Sequence, residues 1–148
     1  MKKQNILIKN RKAFYNYEIT DKYLAGIILL GTEIKSVRES AVNISNAFCS
    51  IEGDNIFIKG MQIAEYLQGN INNHEPLRDR KLLLNKKEIN QIKKKVFEKK
   101  FSVIPTKVFI NKRGFAKVEI GLGKGKKEYD KRESIKKRDS DRKIKDKL

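Results

Sequence analysis

Residues 103–110 and 115–122 are two runs of strong β-formers on either side of Asn111-Lys112-Arg113-Gly114. Such runs about a polar turn that ends in glycine predict an antiparallel hairpin. In the second arm Ala116, Val118 and Ile120 face one way while Lys117 and Glu119 face the other, so one face is shaped for a core. Residues 48–51 and 56–59 flank Glu52-Gly53-Asp54-Asn55 and repeat the signal. Residues 14–19 read as a further strand, with Tyr15, Tyr17 and Ile19 alternating with Phe14, Asn16 and Glu18. The all-apolar run Gly26-Ile27-Ile28-Leu29-Leu30-Gly31 reads as a strand buried on both faces. Short antiparallel strands at near-regular spacing predict a mainly β fold, a small barrel with short α-helices.

Two segments break the β pattern. Asn85-Lys86-Lys87-Glu88 is a capping box, with Asn85 as N-cap and Glu88 three residues on. Leu84 and Ile89 take the staple positions behind it, and Ile89, Ile92 and Val96 share one face of the predicted helix. A shorter helix is expected from Thr32 to about Glu39, with Thr32 as its N-cap.

Charge then divides the chain. Its 148 residues carry 35 Lys and Arg against 18 Asp and Glu, a net charge of +17. Residues 1–123 hold 23 basic and 12 acidic side chains and eleven of the twelve aromatics, whereas residues 124–148 hold 12 basic and 6 acidic ones. The second segment has too little apolar surface to offset about 1–2 kcal/mol per residue of backbone ordering. The expectation is a folded basic domain over 1–123 and a basic tail over 124–148 that is disordered when free. Four pairs in the tail, Glu128–Arg132, Glu133–Lys137, Asp139–Lys143 and Asp141–Lys145, place the acid four residues before the base. At roughly 0.2–0.5 kcal/mol each they do not hold an isolated helix, but they support one on a polyanionic surface.

This excess of cations points to a nucleic-acid partner. No apolar run approaches the ~18 residues of a membrane span and no segment reads as a leader, so a cytoplasmic protein is expected. The single Cys49 excludes a disulfide framework and a cysteine zinc cage. The single His74 has no partner in a catalytic spacing and is expected to be an exposed loop residue. No Walker sequence, nucleophile elbow or metal-spaced carboxylate cluster occurs, so no catalytic residue, metal or cofactor is expected.

Candidate contacts with RNA fall into four groups. Asn10, Arg11 and Lys12 combine phosphate-fixing cations with an amide suited to a base edge or sugar hydroxyl, or else form an ordinary strand start. Tyr15 and Tyr17 are core residues or base-stacking platforms. Lys35 and Arg38 lie three apart on the short helix, whose start suits phosphate. Arg78, Arg80 and Lys81 put three cations within four positions.

These segments together resemble one family. Asn10-Arg11-Lys12-Ala13, Gly31-Thr32-Glu33-Ile34-Lys35-Ser36 with Arg38, and Pro76 with Arg78 and Arg80-Lys81-Leu82-Leu83-Leu84 recur in its pattern. So do Lys117-Val118-Glu119-Ile120, Gly125-Lys126-Lys127, Tyr129-Asp130-Lys131-Arg132 and Ile135-Lys136-Lys137-Arg138-Asp139. In this order, from about Asn5 to Ile144, the chain resembles the bacterial tmRNA-binding proteins of trans-translation, the small protein B (SmpB) family.

The resemblance implies an oligonucleotide-binding (OB) type β-barrel with flanking helices, and a non-enzymatic partner of tmRNA. Such a protein grips the tRNA-like domain of tmRNA near its elbow and stands in for the missing anticodon arm. Charged by alanyl-tRNA synthetase and carried by elongation factor Tu, the complex enters ribosomes stalled on mRNA without a stop codon. The stalled peptide is then tagged for degradation. The tail would lie as a helix in the empty mRNA channel beyond the small-subunit decoding centre.

By position, the tmRNA face would comprise Asn10, Arg11, Lys12, Thr32, Glu33, Lys35, Ser36, Arg38, Arg78, Arg80, Lys81, Leu82 and Lys117. The ribosome would be met by Lys124, Gly125, Lys126, Lys127, Tyr129, Asp130, Lys131, Arg132, Ile135, Lys136, Lys137 and Arg138. One departure stands out. Where the family commonly carries an acid before its Ala-Gly pair, this chain has Leu24, so that contact is either lost or replaced, with nearby Glu33 the candidate replacement. A generic single-strand binder and an RNA-processing enzyme are the competing readings.

Overall fold

The computed structural model describes residues 6–68 and 72–126. In chain order its elements are β1 (Leu7–Lys9), α1 (Arg11–Asn16), β2 (Tyr17–Ile27), α2 (Gly31–Arg38), β3 (Val42–Asn43) and β4 (Phe48–Glu52). They continue with β5 (Asn55–Lys59), β6 (Gln62–Ile63), β7 (Arg80–Leu83), α3 (Lys86–Lys99), β8 (Ser102–Ile110) and β9 (Ala116–Gly125). Seven strands form one antiparallel sheet in the order β1-β8-β4-β5-β7-β2-β9, and β9 also pairs with β8. The sheet therefore closes on itself as a ring. One edge of β8 lies along β9, while its other edge meets β4 at Cys49↔Val103 and β1 at Leu7↔Phe109. The short β3 and β6 pair separately.

Alternation fills the ring. Ile56 and Ile58 of β5, Leu82 of β7, Val108 of β8, and Val118, Ile120 and Leu122 of β9 form a common core. Ile92 of α3 joins them, with Leu84, Ile89 and Val96 packed around it. Both hairpins form as expected, and Gly53 (φ +65°) and Gly114 (φ +88°) supply the left-handed backbone their turns require. The capping box of α3 is also present: Asn85 Oδ1 accepts from Glu88 N at 2.8 Å and Glu88 Oε1 accepts from Asn85 N at 3.1 Å.

The N-terminal half differs from the sequence expectation. Residues 11–16 are a helix, not a strand start, because Asn10 caps them: its Oδ1 accepts from Ala13 N at 3.3 Å. The strand follows as one eleven-residue β2, so only Gly26 and Ile27 of the apolar run are in a sheet. The pairing with β9 ends at Gly26 and that with β7 at a last bond from Ile28 N to Lys81 O at 3.0 Å, and Ile28 and Leu30 are about half exposed. The next helix starts at Gly31 with Leu30 as its N-cap, two residues earlier than the expected Thr32 cap. Glu33 decides this, since its carboxylate accepts from Leu30 N at 2.7 Å. At the other end β9 runs to Gly125, two residues past the expected domain end. The expected tail state beyond that strand lies outside the described residues.

Candidate nucleic-acid interface

Strands β7, β2 and β9 lie side by side and turn one face outward. Their register puts Leu83 and Lys117 opposite Gly26, and Glu119 opposite Leu24. Directly opposed residues share a face, so Leu24, Leu83, Lys117 and Glu119 surround Gly26, whose backbone is buried beneath them. Lys22 and Lys81 extend the same face by the two-residue period. Leu24 and Leu83 are about half exposed. A Cβ at Gly26 would meet Leu83 Cβ at 3.3 Å and Lys117 Nζ at 3.7 Å, so an apolar and a cationic side chain close over the glycine, which is buried. At the middle of β2, Lys22 Nζ lies 5.2 Å above the ring of Phe14, which α1 holds out to solvent.

Helix α2 follows β2 and is anchored by buried charge. The Glu33 carboxylate is fully buried and takes four donors. Leu30 N and Arg78 Nη2 reach Oε1 at 2.7 Å each, while Arg80 Nε at 2.6 Å and Arg78 Nε at 3.2 Å reach Oε2. Burial alone would raise the pKa of this carboxyl. Hydrogen bonds from Arg78 and Leu30, with the charge and hydrogen bond of Arg80, outweigh it and hold the group below its ordinary value. Arg80 is equally buried and spends its remaining donors on the carbonyls of Met61 (2.8 Å), Pro76 (3.2 Å) and Glu75 (3.4 Å). His74 completes the anchor. Its Nε2 donates to Ile63 O at 2.9 Å, so in the neutral ring Nδ1 accepts from Thr32 Oγ1 at 2.8 Å.

This arrangement sorts the residues expected at the interface. Arg11, Lys12, Lys35 and Arg38 are exposed, and Lys35 Nζ lies 5.6 Å above the Tyr66 ring. Arg78 is one-third exposed despite its pair with Glu33. Glu33, Ser36, Arg80 and Leu82 are buried and hold the exposed cations in place, so their side chains do not offer themselves to a ligand. Asn10 is also buried: Nδ2 donates to Ile44 O at 3.0 Å and Pro105 O at 2.9 Å, leaving no donor for a base edge. His74 is buried, not exposed, because Thr32 and Ile63 satisfy both ring nitrogens. With its four donors, Glu33 cannot stand in for the acid that Leu24 replaces. The carboxylate beside Leu24 is Glu119, which accepts from Thr106 Oγ1 at 2.6 Å and lies 3.8 Å from Lys107 Nζ.

Of the run from Arg80 to Leu84 that the resemblance assigns to this face, Leu83 points outward where Leu82 points inward. Sequence reasoning missed Lys22, whose place beside Phe14 depends on the α1–β2 junction. Lys124, Gly125 and Lys126 close β9 beside α1: Tyr17 pairs with Gly125, and Lys126 Nζ donates to Phe14 O at 3.3 Å. The remaining tail candidates, from Lys127 to Arg138, lie outside the described residues. Among the described residues no group of three His, Cys, Asp or Glu side chains converges as a metal site, and no helix is long and apolar enough to cross a membrane.

A small closed β domain with lysines and apolar side chains interleaved on its outer face belongs to the class of compact polyanion-binding domains. Its particular kinship follows from comparison. The family model described as "SmpB protein" matches residues 7–148, and the chain belongs to that family. It is similar to the SsrA-binding protein of Thermosipho africanus, 50% identical over 139 residues that cover 94% of this chain and 93% of that one. The SsrA-binding protein of Parabacteroides distasonis is 49% identical over 140 residues, covering 95% and 92%. A solved chain from "tmRNA-SmpB: a journey to the center of the bacterial ribosome" superposes with a TM-score of 0.71 at 39% identity. That match covers 88% of this chain and 94% of the other.

Proposed function

We propose that this protein is a tmRNA-binding adaptor of trans-translation, with no catalytic role of its own. The outer face of β7, β2 and β9 is the observation that carries the reading. Leu24 and Leu83 offer an exposed apolar patch to an unpaired or splayed base, and Lys22, Lys81 and Lys117 line its border for phosphate. Arg11 and Lys12 on α1, and Lys35 and Arg38 on α2, extend the cationic surface, while Asn10, Glu33, Ser36, Thr32, Arg80 and Leu82 position it. A folded RNA with an exposed loop matches such a mixed surface better than a uniform single strand does. The tRNA-like domain of tmRNA is therefore the ligand, and the protein remains on it during delivery by elongation factor Tu.

The tail has a second task in this reading. Its net charge of +6 and its four acid-before-base pairs suit a helix laid along ribosomal RNA in the empty mRNA channel. The residues assigned there are Lys124 to Lys127, Tyr129 to Arg132 and Ile135 to Arg138. The site of action is the cytoplasm. A competition assay tests the proposal: the tRNA-like domain of tmRNA should displace an unstructured oligonucleotide of equal length, at fixed salt, by at least tenfold preference. Equal competition would make the protein a generic single-strand binder.

A further inference from the structure

The outward face of β7, β2 and β9 continues onto two more strands. β8 pairs with β9 along one edge and with β1 along the other, and the registers run straight across. Leu7 stands opposite Phe109, Phe109 opposite Lys117, and Lys117 opposite Gly26. Two residues along, Lys9 stands opposite Lys107, Lys107 opposite Glu119, and Glu119 opposite Leu24. Opposed residues share a face, so both rows point outward together. Between them Ile8, Val108 and Val118 pack inward on the core, as the period of two requires. At about 4.8 Å per strand the row from Lys9 to Leu24 spans about 14 Å.

The charges on this extension are arranged against stability. Lys9 and Lys107 are directly opposed, and like charges in that position repel. Lys107 Nζ lies 3.8 Å from Glu119 Oε1, a long ion pair at a partly exposed site that holds the ammonium weakly. Glu119 has its own donor in Thr106 Oγ1 at 2.6 Å, so Lys107 is free to turn elsewhere. An anion placed between the two ammonium groups would convert their repulsion into attraction. Apolar surface lies beside them, since Leu7 is half exposed and the Phe109 ring sits 5.8 Å below Lys107 Nζ. Cations next to apolar side chains repeat the pattern of Lys22 and Lys81 beside Leu24 and Leu83.

We propose that the RNA face extends across β9 onto β8 and β1, where Lys9 and Lys107 hold one phosphate between them. The attached nucleotide lies against Phe109 and Leu7. The proposal rests on the reading of the protein as an RNA-binding adaptor and enlarges the surface that does the binding. Continuity with the face of β2 and β9 makes the ligand the same RNA and not a second partner.

Binding of the full chain to the tRNA-like domain of tmRNA, measured over a range of salt concentrations, tests it. Lys9→Gln with Lys107→Gln should lower the slope of log affinity against log salt by about one unit, since one phosphate contact contributes ~0.9. Thermal melts should show this variant no less stable than wild type, because it removes a repulsion. Phe109→Ala should weaken binding about tenfold at every salt concentration and leave the slope as it is. Lys94→Gln with Lys99→Gln, which removes two exposed charges from α3, should leave the slope unchanged. An unchanged slope in the Lys9 and Lys107 variant, an equal fall in the α3 variant, or unchanged affinity in Phe109→Ala would overturn the proposal. Lys22→Gln with Lys81→Gln separates this outcome from failure of the adaptor reading. If that pair lowers the slope and the Lys9 and Lys107 pair does not, the face ends at β9 and the function stands. If neither pair lowers it, the sheet face is not the RNA site and both readings fall.

Discussion

One carboxylate fixes the geometry of α2. Glu33 caps the helix through Leu30 N, pairs with Arg78 at the surface and balances Arg80 inside. Removing its charge leaves Arg80 buried without a counter-ion, so Glu33→Gln should lower stability by roughly 3–5 kcal/mol in urea titrations. The pH dependence has a definite sign. The folded-state pKa of Glu33 lies below its unfolded value, so its contribution is full above about pH 4.3 and is lost as pH falls through the lower folded value. The stability gap between wild type and Glu33→Gln should therefore narrow in acid. A gap that stays constant from neutral pH to pH 3 would show that the carboxylate acts by shape and not by charge. The resemblance placed Glu33 and Arg80 on the tmRNA face by position, and Arg80 also read as part of a surface cation patch. Their burial rests on partners 47 residues apart, which no local pattern reveals. His74 was misread for the same reason, since its hydroxyl partner lies 42 residues away.

Among the elements, those whose evidence is local were legible. The capping box of α3 spans four residues, and the two hairpins are closed by turns whose glycines adopt the left-handed backbone. Helix α1 was not legible. Its aromatic alternation reads as strand, but Asn10 is fastened to Ile44 and Pro105, 34 and 95 residues along the chain. That brace holds a short helix where local preference favours extension. The junction of β2 and β9 is the tightest contact between elements: a Cβ at Gly123 would run into the carbonyl of Glu18, whereas one at Gly125 would rest 3.7 Å from the Tyr17 ring. Gly123→Ala should cost at least the ~1–3 kcal/mol typical of overpacking, and Gly125→Ala should be nearly neutral. Thermal melts of the two variants compare them directly. Equal melting temperatures would mean that β2 and β9 separate at this point without penalty.

At the scale of the whole molecule, +11 resides in residues 1–123 and +6 in residues 124–148. The proposed function gives each charge its own RNA. Lys22, Lys81 and Lys117 are carried by the ring of strands and Arg11, Lys12, Lys35 and Arg38 by helices α1 and α2 beside it, while the tail is reserved for the ribosome. The double variant Lys35→Ala, Arg38→Ala should weaken tmRNA binding and flatten its salt dependence by about one to two units of slope, since each duplex phosphate contact contributes ~0.9. An unchanged slope would remove α2 from the interface. The division of labour itself is tested most directly by comparing the full chain with a version ending at Lys126, measuring affinity for the tRNA-like domain and tagging of peptides on stalled ribosomes. The account predicts unchanged RNA affinity and no tagging. A parallel fall in RNA affinity, or tagging that persists, would contradict it.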